Sequence, residues 1–186
     1  MTGEIPRRPG KSARRTRIVD EILDCLAHKQ IYTTLDYRHK KEASLKQYMH
    51  HPLQASLTKL FRESCGDLQE ATLQRKVKAA LFWEGDVTTT INNVRFLGVQ
   101  HRPDFVIRFE ELRIAVEVKL GDYGAAVREG IGQSLVYAAS GEFDFVAYLF
   151  VDTSRDKKIL ESRQKPAENA FVDSLWQNYN VRFRIV

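Results

Sequence analysis

Apolar residues recur along this chain first with the period of helices and then with that of strands. The positions Ile18, Val19, Ile22, Leu23 and Leu26 have the spacing of an amphipathic helix that ends near Lys29. Residues 31 to 41 follow neither period. A second helical pattern carries Leu45, Tyr48 and Met49 and is expected to break at His51-Pro52, because proline lacks an N–H and disfavours helix in the residue before it. A third carries Leu53, Leu57, Leu60 and Phe61 as far as Cys65-Gly66. Residues 18 to 66 therefore read as a helical N-terminal extension packed on the remainder of the chain. Asp67 opens a further helix whose stripe is Leu73, Val77, Ala80 and Leu81.

Past Gly85 the pattern becomes extended. The β-branched run Val87-Thr88-Thr89-Thr90-Ile91 reads as a strand, Asn92-Asn93 as a turn, and Val94 to Val99 as another extended piece. Phe105, Val106, Ile107 and Phe109, then the polar pair Glu110-Glu111, then Leu112, Ile114, Ala115 and Val116 describe a hairpin. A helix from about Ala125 to Ser140 directs Val127, Ile131, Leu135 and Ala138 inward, and Phe143 to Val151 is almost wholly apolar, as a strand covered on both faces is. A helix starting near Pro166 packs Phe171, Val172, Leu175 and Trp176, and the alternating Val181 to Ile185 closes the chain as an edge strand. The order from residue 67 is αβββαβαβ, an α/β fold with a mixed central sheet flanked by helices.

Composition narrows this little: 186 residues that are 43% hydrophobic suit one domain with a real core. No apolar run approaches a membrane span and no signal segment is evident, which sets the expectation of a cytoplasmic protein with no membrane partner. Cys25 and Cys65 are far apart and form no Cys/His cluster, so neither a disulfide framework nor a zinc site is expected. Charge placement says more. Residues 1 to 17 hold six basic residues, Arg7, Arg8, Lys11, Arg14, Arg15 and Arg17, against one acid, and the rest of the chain balances. Such a stretch reads as a disordered basic arm, either a salt-dependent phosphate-binding tail or a solubilising terminus.

Chemistry gathers around the hairpin. Alternation along the second strand puts Glu117 and Lys119 on one face and Val116, Val118 and Leu120 on the other. They could decorate the wet face of an ordinary strand. On a strand this apolar, leading through Gly121 into a helix, a carboxylate is costly unless paired or bound to metal. Gln133 and Tyr137 stand one turn apart on that helix and can reach the same place.

The sequence Arg102-Pro103-Asp104, twelve intervening residues, Glu117-Val118-Lys119, and then Gln133-x-x-x-Tyr137 on the next helix resembles the PD-(D/E)xK nuclease superfamily, in particular its RecB-like branch. The resemblance covers residues 67 to 186 and implies a restriction-endonuclease-like core. It implies a metal-dependent nuclease, acting on DNA more readily than RNA, in a repair, recombination, restriction or mobile-element setting. The implied catalytic residues are Asp104, Glu117, Lys119, Gln133 and Tyr137. The implied ligands of Mg²⁺ or Mn²⁺ are Asp104, Glu117 and the Val118 carbonyl, with an acid from the first core helix. Glu70 matches that position and Glu84 is the fallback, although Glu70 could equally close a capping box with Asp67. Arg102 joins the basic arm as a nucleic-acid contact. Oxygen ligands suit these hard cations. The rival expectation is a non-catalytic nucleic-acid-binding module with a nuclease-like fold. Protein partners or a homodimer stay open, since no ATPase or helicase motif is present.

Overall fold

The computed structural model describes residues 10–34, 42–86 and 93–186. Seven helices and seven strands are defined among them, in the order α1 (Ala13–Leu26), α2 (Lys29–Thr34), α3 (Glu42–Cys65), α4 (Glu70–Ala80), β1 (Leu81–Trp83), β2 (Val94–Phe96), β3 (Val99–His101), β4 (Phe105–Phe109), β5 (Leu112–Gly121), α5 (Gly124–Ser140), β6 (Phe145–Asp152), α6 (Lys158–Ser162), α7 (Pro166–Tyr179) and β7 (Val181–Ile185). Five strands form one mixed sheet in the order β1-β4-β5-β6-β7. The pairs β1–β4 and β4–β5 are antiparallel, and β5–β6 and β6–β7 are parallel. This bears out the α/β architecture with a mixed, helix-flanked sheet. No helix among the described residues is long and apolar enough to cross a membrane.

The sheet buries both faces. Phe105, Ile107, Ile114, Val116, Val118, Phe145 and Leu149 join one apolar cluster with α1, α3 and α4, while Val106, Ala115, Val146, Tyr148 and Phe150 join a second with α5 and α7. Helices α1 and α3 share this first core with the sheet.

Several local expectations are corrected. The stretch expected as a disordered arm up to Arg17 is helical from Ala13, where α1 begins, capped by Ser12, whose hydroxyl accepts from the Arg15 amide at 3.3 Å. Pro52 does not break α3. Leu45, Met49, Leu53 and Leu57 are fully buried on one continuous stripe, and that burial outweighs the single hydrogen bond proline removes. Leu81 leaves the helix and opens β1, since an apolar residue there fits either period. The strand expected at Val87–Ile91 lies outside the described residues. Val94–Val99 is not one extended piece: it belongs to a separate small hairpin of β2 and β3, turned at Leu97-Gly98 with both residues at positive φ. In α5 the residues facing the sheet are Ala126, Gly130, Ser134 and Tyr137, one position off the expected stripe. Gly130 explains the offset. A Cβ there would lie 2.3 Å from the Tyr148 hydroxyl, so the missing side chain lets the helix settle onto β6.

Candidate metal and phosphodiester site

The β4–β5 register pairs Phe105 with Val116, which sets Asp104 beside Glu117 at the next position. Alternation then turns Asp104, Glu117 and Lys119 to the α5 side of the sheet. Glu117 and Lys119 share a face as the sequence implied, with the ammonium 3.4 Å from Glu117 Oε1. Asp104 and Glu117 are each only 2% exposed. Asp104 Oδ2 accepts from the Val118 amide at 2.7 Å, so the backbone between Glu117 and Lys119 orients the acid of the neighbouring strand.

Burial pushes both carboxyls above their ordinary range. For Asp104 the Lys46 ammonium and the Val118 amide partly oppose that rise; for Glu117 the neighbouring Asp104 charge adds to it, against Lys119 and Lys46. Burial alone would lower Lys119, but the charges of Glu117, Glu42, Asp104 and Glu129 outweigh it and the ammonium is held more tightly than usual.

From α5, Tyr137 is fully buried and Gln133 half-buried. Burial, with the charges of Glu117 and Asp104, raises the Tyr137 phenol strongly, so it stays protonated. Glu117 Oε2, Gln133 Oε1 and the Tyr137 hydroxyl are buried without a well-formed hydrogen bond among the described residues, although the Tyr137 hydroxyl interacts with the Glu117 carboxyl. Buried oxygens are rarely left so. A carboxylate oxygen and an amide oxygen without donors, beside two carboxyls pushed up by burial, with the Asp104 charge adding at Glu117, fit a hard cation supplying the missing charge. Asp104 and Glu117, with the Val118 carbonyl, are the residues that could hold Mg²⁺ or Mn²⁺. Among the described residues no group of three or more His, Cys, Asp or Glu side chains converges as a metal cluster, so any such ion would lean on backbone, amide or solvent oxygens as well.

Three contributors escaped the sequence reading. Lys46 ion-pairs with Asp104 Oδ1, and lies 2.5 Å from Glu42 Oε1 one turn earlier in α3. Glu42 Oε2 in turn accepts from the Leu120 amide at 3.3 Å, so the first turn of α3 is tied to the C-terminal end of β5. Glu129 lies 3.4 Å from Lys119 on its far side. The spacing Glu129-x-x-x-Gln133-x-x-x-Tyr137 was a visible signal for the last. Nothing local announced the first two.

Glu70 is not part of this constellation. It opens α4, at the end remote from β1 by roughly 15 Å of helix. Its exposed carboxylate is taken by Arg62 at 2.8 Å and by Gln74 at 2.7 Å, which hold it below the usual range, and Asp67 does not cap the helix. The fallback, Glu84, is closer: its amide donates to the Asp104 carbonyl at 3.0 Å.

The basic arm is placed differently from its expected role. Arg7 and Arg8 lie outside the described residues. Lys11 donates to the Gln177 carbonyl at 2.7 Å and lies over the Trp176 ring. Arg14 and Arg15 pair with Glu110 and Glu111 at the hairpin turn, and Arg17 with Glu63. That turn is at the end of β4 away from Asp104, roughly 17 Å off by strand length. Arg102, two residues from Asp104, donates to Asn93 Oδ1 at 3.0 Å and, among the described residues expected to contact nucleic acid, is the one next to the acid pair in sequence. Compared with known proteins, the chain matches no protein-family model, no curated protein and no solved structure.

Proposed function

We propose that this protein is a metal-dependent nuclease of the PD-(D/E)xK type, hydrolysing phosphodiester bonds in nucleic acid, with DNA the first substrate to test. The observation that carries the reading is the buried pair Asp104 and Glu117 with an unpartnered Glu117 oxygen and Lys119 at 3.4 Å. A buried carboxylate with an open oxygen is costly unless it takes up a proton or a cation. Mg²⁺ or Mn²⁺, when bound, supplies charge that offsets the phosphate and makes a water nucleophilic.

The chain's own residues divide the remaining work. Asp104 and Glu117 bind the cation, with Asp104 fixed by the Val118 amide. Lys119, between Glu117 and Glu129, reaches the same face and is placed to orient the attacking water and offset charge on the phosphate. The Tyr137 hydroxyl, still protonated, and the Gln133 amide are held by α5 to donate to ligand or phosphate oxygens. Arg102 extends the positive charge toward the backbone of the nucleic acid.

The test is incubation of the protein with linear, circular and single-stranded DNA and with RNA, in Mg²⁺, Mn²⁺ or EDTA, beside Glu117→Gln. Metal-dependent cleavage that the variant lacks supports the reading; equal products from both proteins, or none from either, reject it.

A further inference from the structure

Both oxygens of Asp104 have partners within the chain, and the two are not equivalent. Oδ2 takes the Val118 amide, a group fixed within β5. Oδ1 takes the Lys46 ammonium, carried on a flexible four-carbon stem that is itself largely buried, at 13% exposure. The opposite carboxylate differs. Lys119 stands 3.4 Å from Glu117 Oε1 and leaves Oε2 with no partner. Asp104 therefore has both oxygens taken, one of them by a cation of the chain's own, whereas Lys119 leaves one Glu117 oxygen open.

We propose that Lys46 is the resident counter-ion of the candidate metal site, holding the place on Asp104 that a divalent cation would take, so that metal loading requires its ammonium to withdraw. The inference rests on the reading of Asp104 and Glu117 as a metal site. An ammonium and a divalent ion on one carboxylate oxygen repel each other, and far more in a buried setting than in water, so each weakens the other's hold. Of the two bonds to Asp104, the one to a side chain can be released without disturbing the sheet. The Lys46 ammonium is already bonded to Glu42 as well as to Asp104, so it can leave Asp104 by swinging toward Glu42. Its other partner, Glu42, is anchored to the Leu120 amide, which keeps the withdrawn ammonium near the site and couples the first turn of α3 to metal occupancy.

The experiment is calorimetric titration of Mn²⁺ into the full chain and into Lys46→Met, Lys46→Gln and Lys46→Arg, with melting curves in EDTA and in Mn²⁺. Removing the competing charge is expected to tighten Mn²⁺ binding by about tenfold or more in the Met and Gln variants. Their melting points should fall in EDTA and recover in Mn²⁺, giving a larger metal-dependent shift than in the unaltered protein. Lys46→Arg, which keeps the charge, should bind no tighter. Equal or weaker binding by both neutral variants, where the unaltered protein does bind Mn²⁺, overturns this inference and leaves the metal site standing. A fall in melting point that Mn²⁺ does not repair in either variant also overturns it, since that is the mark of a mere tether between α3 and the sheet. Failure of every protein to bind Mn²⁺ overturns the metal-site reading and this inference together.

Discussion

The Val118 amide donates to the Asp104 carboxylate at 2.7 Å, so the residue between Glu117 and Lys119, whose own side chain is buried on the opposite face of the sheet, positions the acid of the next strand. The acid pair is therefore a product of strand register. Slipping β4 against β5 by one residue would turn Asp104 to the other face.

Glu117→Gln is expected to abolish cleavage and the metal-dependent rise in melting point, while leaving the metal-free protein as stable as before or more so. Glu117 has a folded-state pKa raised from 4.5 to about 8. The folded protein thus holds this proton more tightly than the unfolded chain. The resulting stabilisation is fully present below about 4.5 and is lost as the pH rises through about 8. Melting in EDTA across roughly pH 5 to 9, a range that spans most of that window, should show an alkaline decline that Glu117→Gln lacks.

Lys119→Ala should reduce cleavage by at least about a hundredfold with little change in fold, the scale of a lost general acid–base or charge-stabilising group. Binding of uncleaved DNA, followed by fluorescence anisotropy in Ca²⁺, should change far less. Comparable losses of binding and of cleavage would make Lys119 a binding residue only.

Gly130→Ala tests the seating of α5 from outside the site. Alanine favours helix by about 1 kcal/mol. Its methyl, however, would meet the Tyr148 hydroxyl at 2.3 Å, and that ring is fully buried, stacked on Phe183 at 4.7 Å, with its hydroxyl 3.3 Å from the Val127 carbonyl. Overpacking of this kind costs roughly 1–3 kcal/mol. Denaturant melts should show a net loss, and activity should drop as α5 carries Gln133 and Tyr137 away from the strand.

Joint replacement of Arg14, Arg15 and Arg17 by alanine should leave the salt dependence of nucleic-acid binding nearly unchanged. Each of these guanidinium groups already pairs with a carboxylate, so a phosphate would gain little free charge there. Exposed pairs of this type contribute about 0–1 kcal/mol each, and the melting point should move accordingly little. A salt slope flattened by two or more phosphate contacts' worth would restore these arginines as a nucleic-acid surface.

The hairpin and its charged face were legible in sequence because strand alternation acts over a few residues and fixes which side chains share a side. Gln133 and Tyr137 were legible for the same reason at helical spacing. The same local spacing points to Glu70, but Glu70 is the first residue of α4, where its carboxylate stays in solvent with Arg62 and Gln74. Glu42 and Lys46 could not be found this way. Their bonds to Leu120 and Asp104 span the whole helical segment, and in the sequence they are two ordinary charges at the start of an amphipathic helix. Pro52 misled for a related reason: its local cost is visible in the sequence, whereas the sheet that covers Leu53 and Leu57 is not.

The tie between α3 and β5 also orders events on the ribosome. Helices α1 and α3 are synthesised before any strand of the sheet, and their apolar stripe, including Ile22, Leu23, Met49 and Leu53, has no sheet to cover it until β4 and β5 emerge. Lys46 and Glu42 arrive with the same helix and meet Asp104 and Leu120 in that one collapse. A nascent chain stalled before Leu112 therefore leaves that helical surface without β5 to cover it and lacks Glu117, whereas the full chain has both.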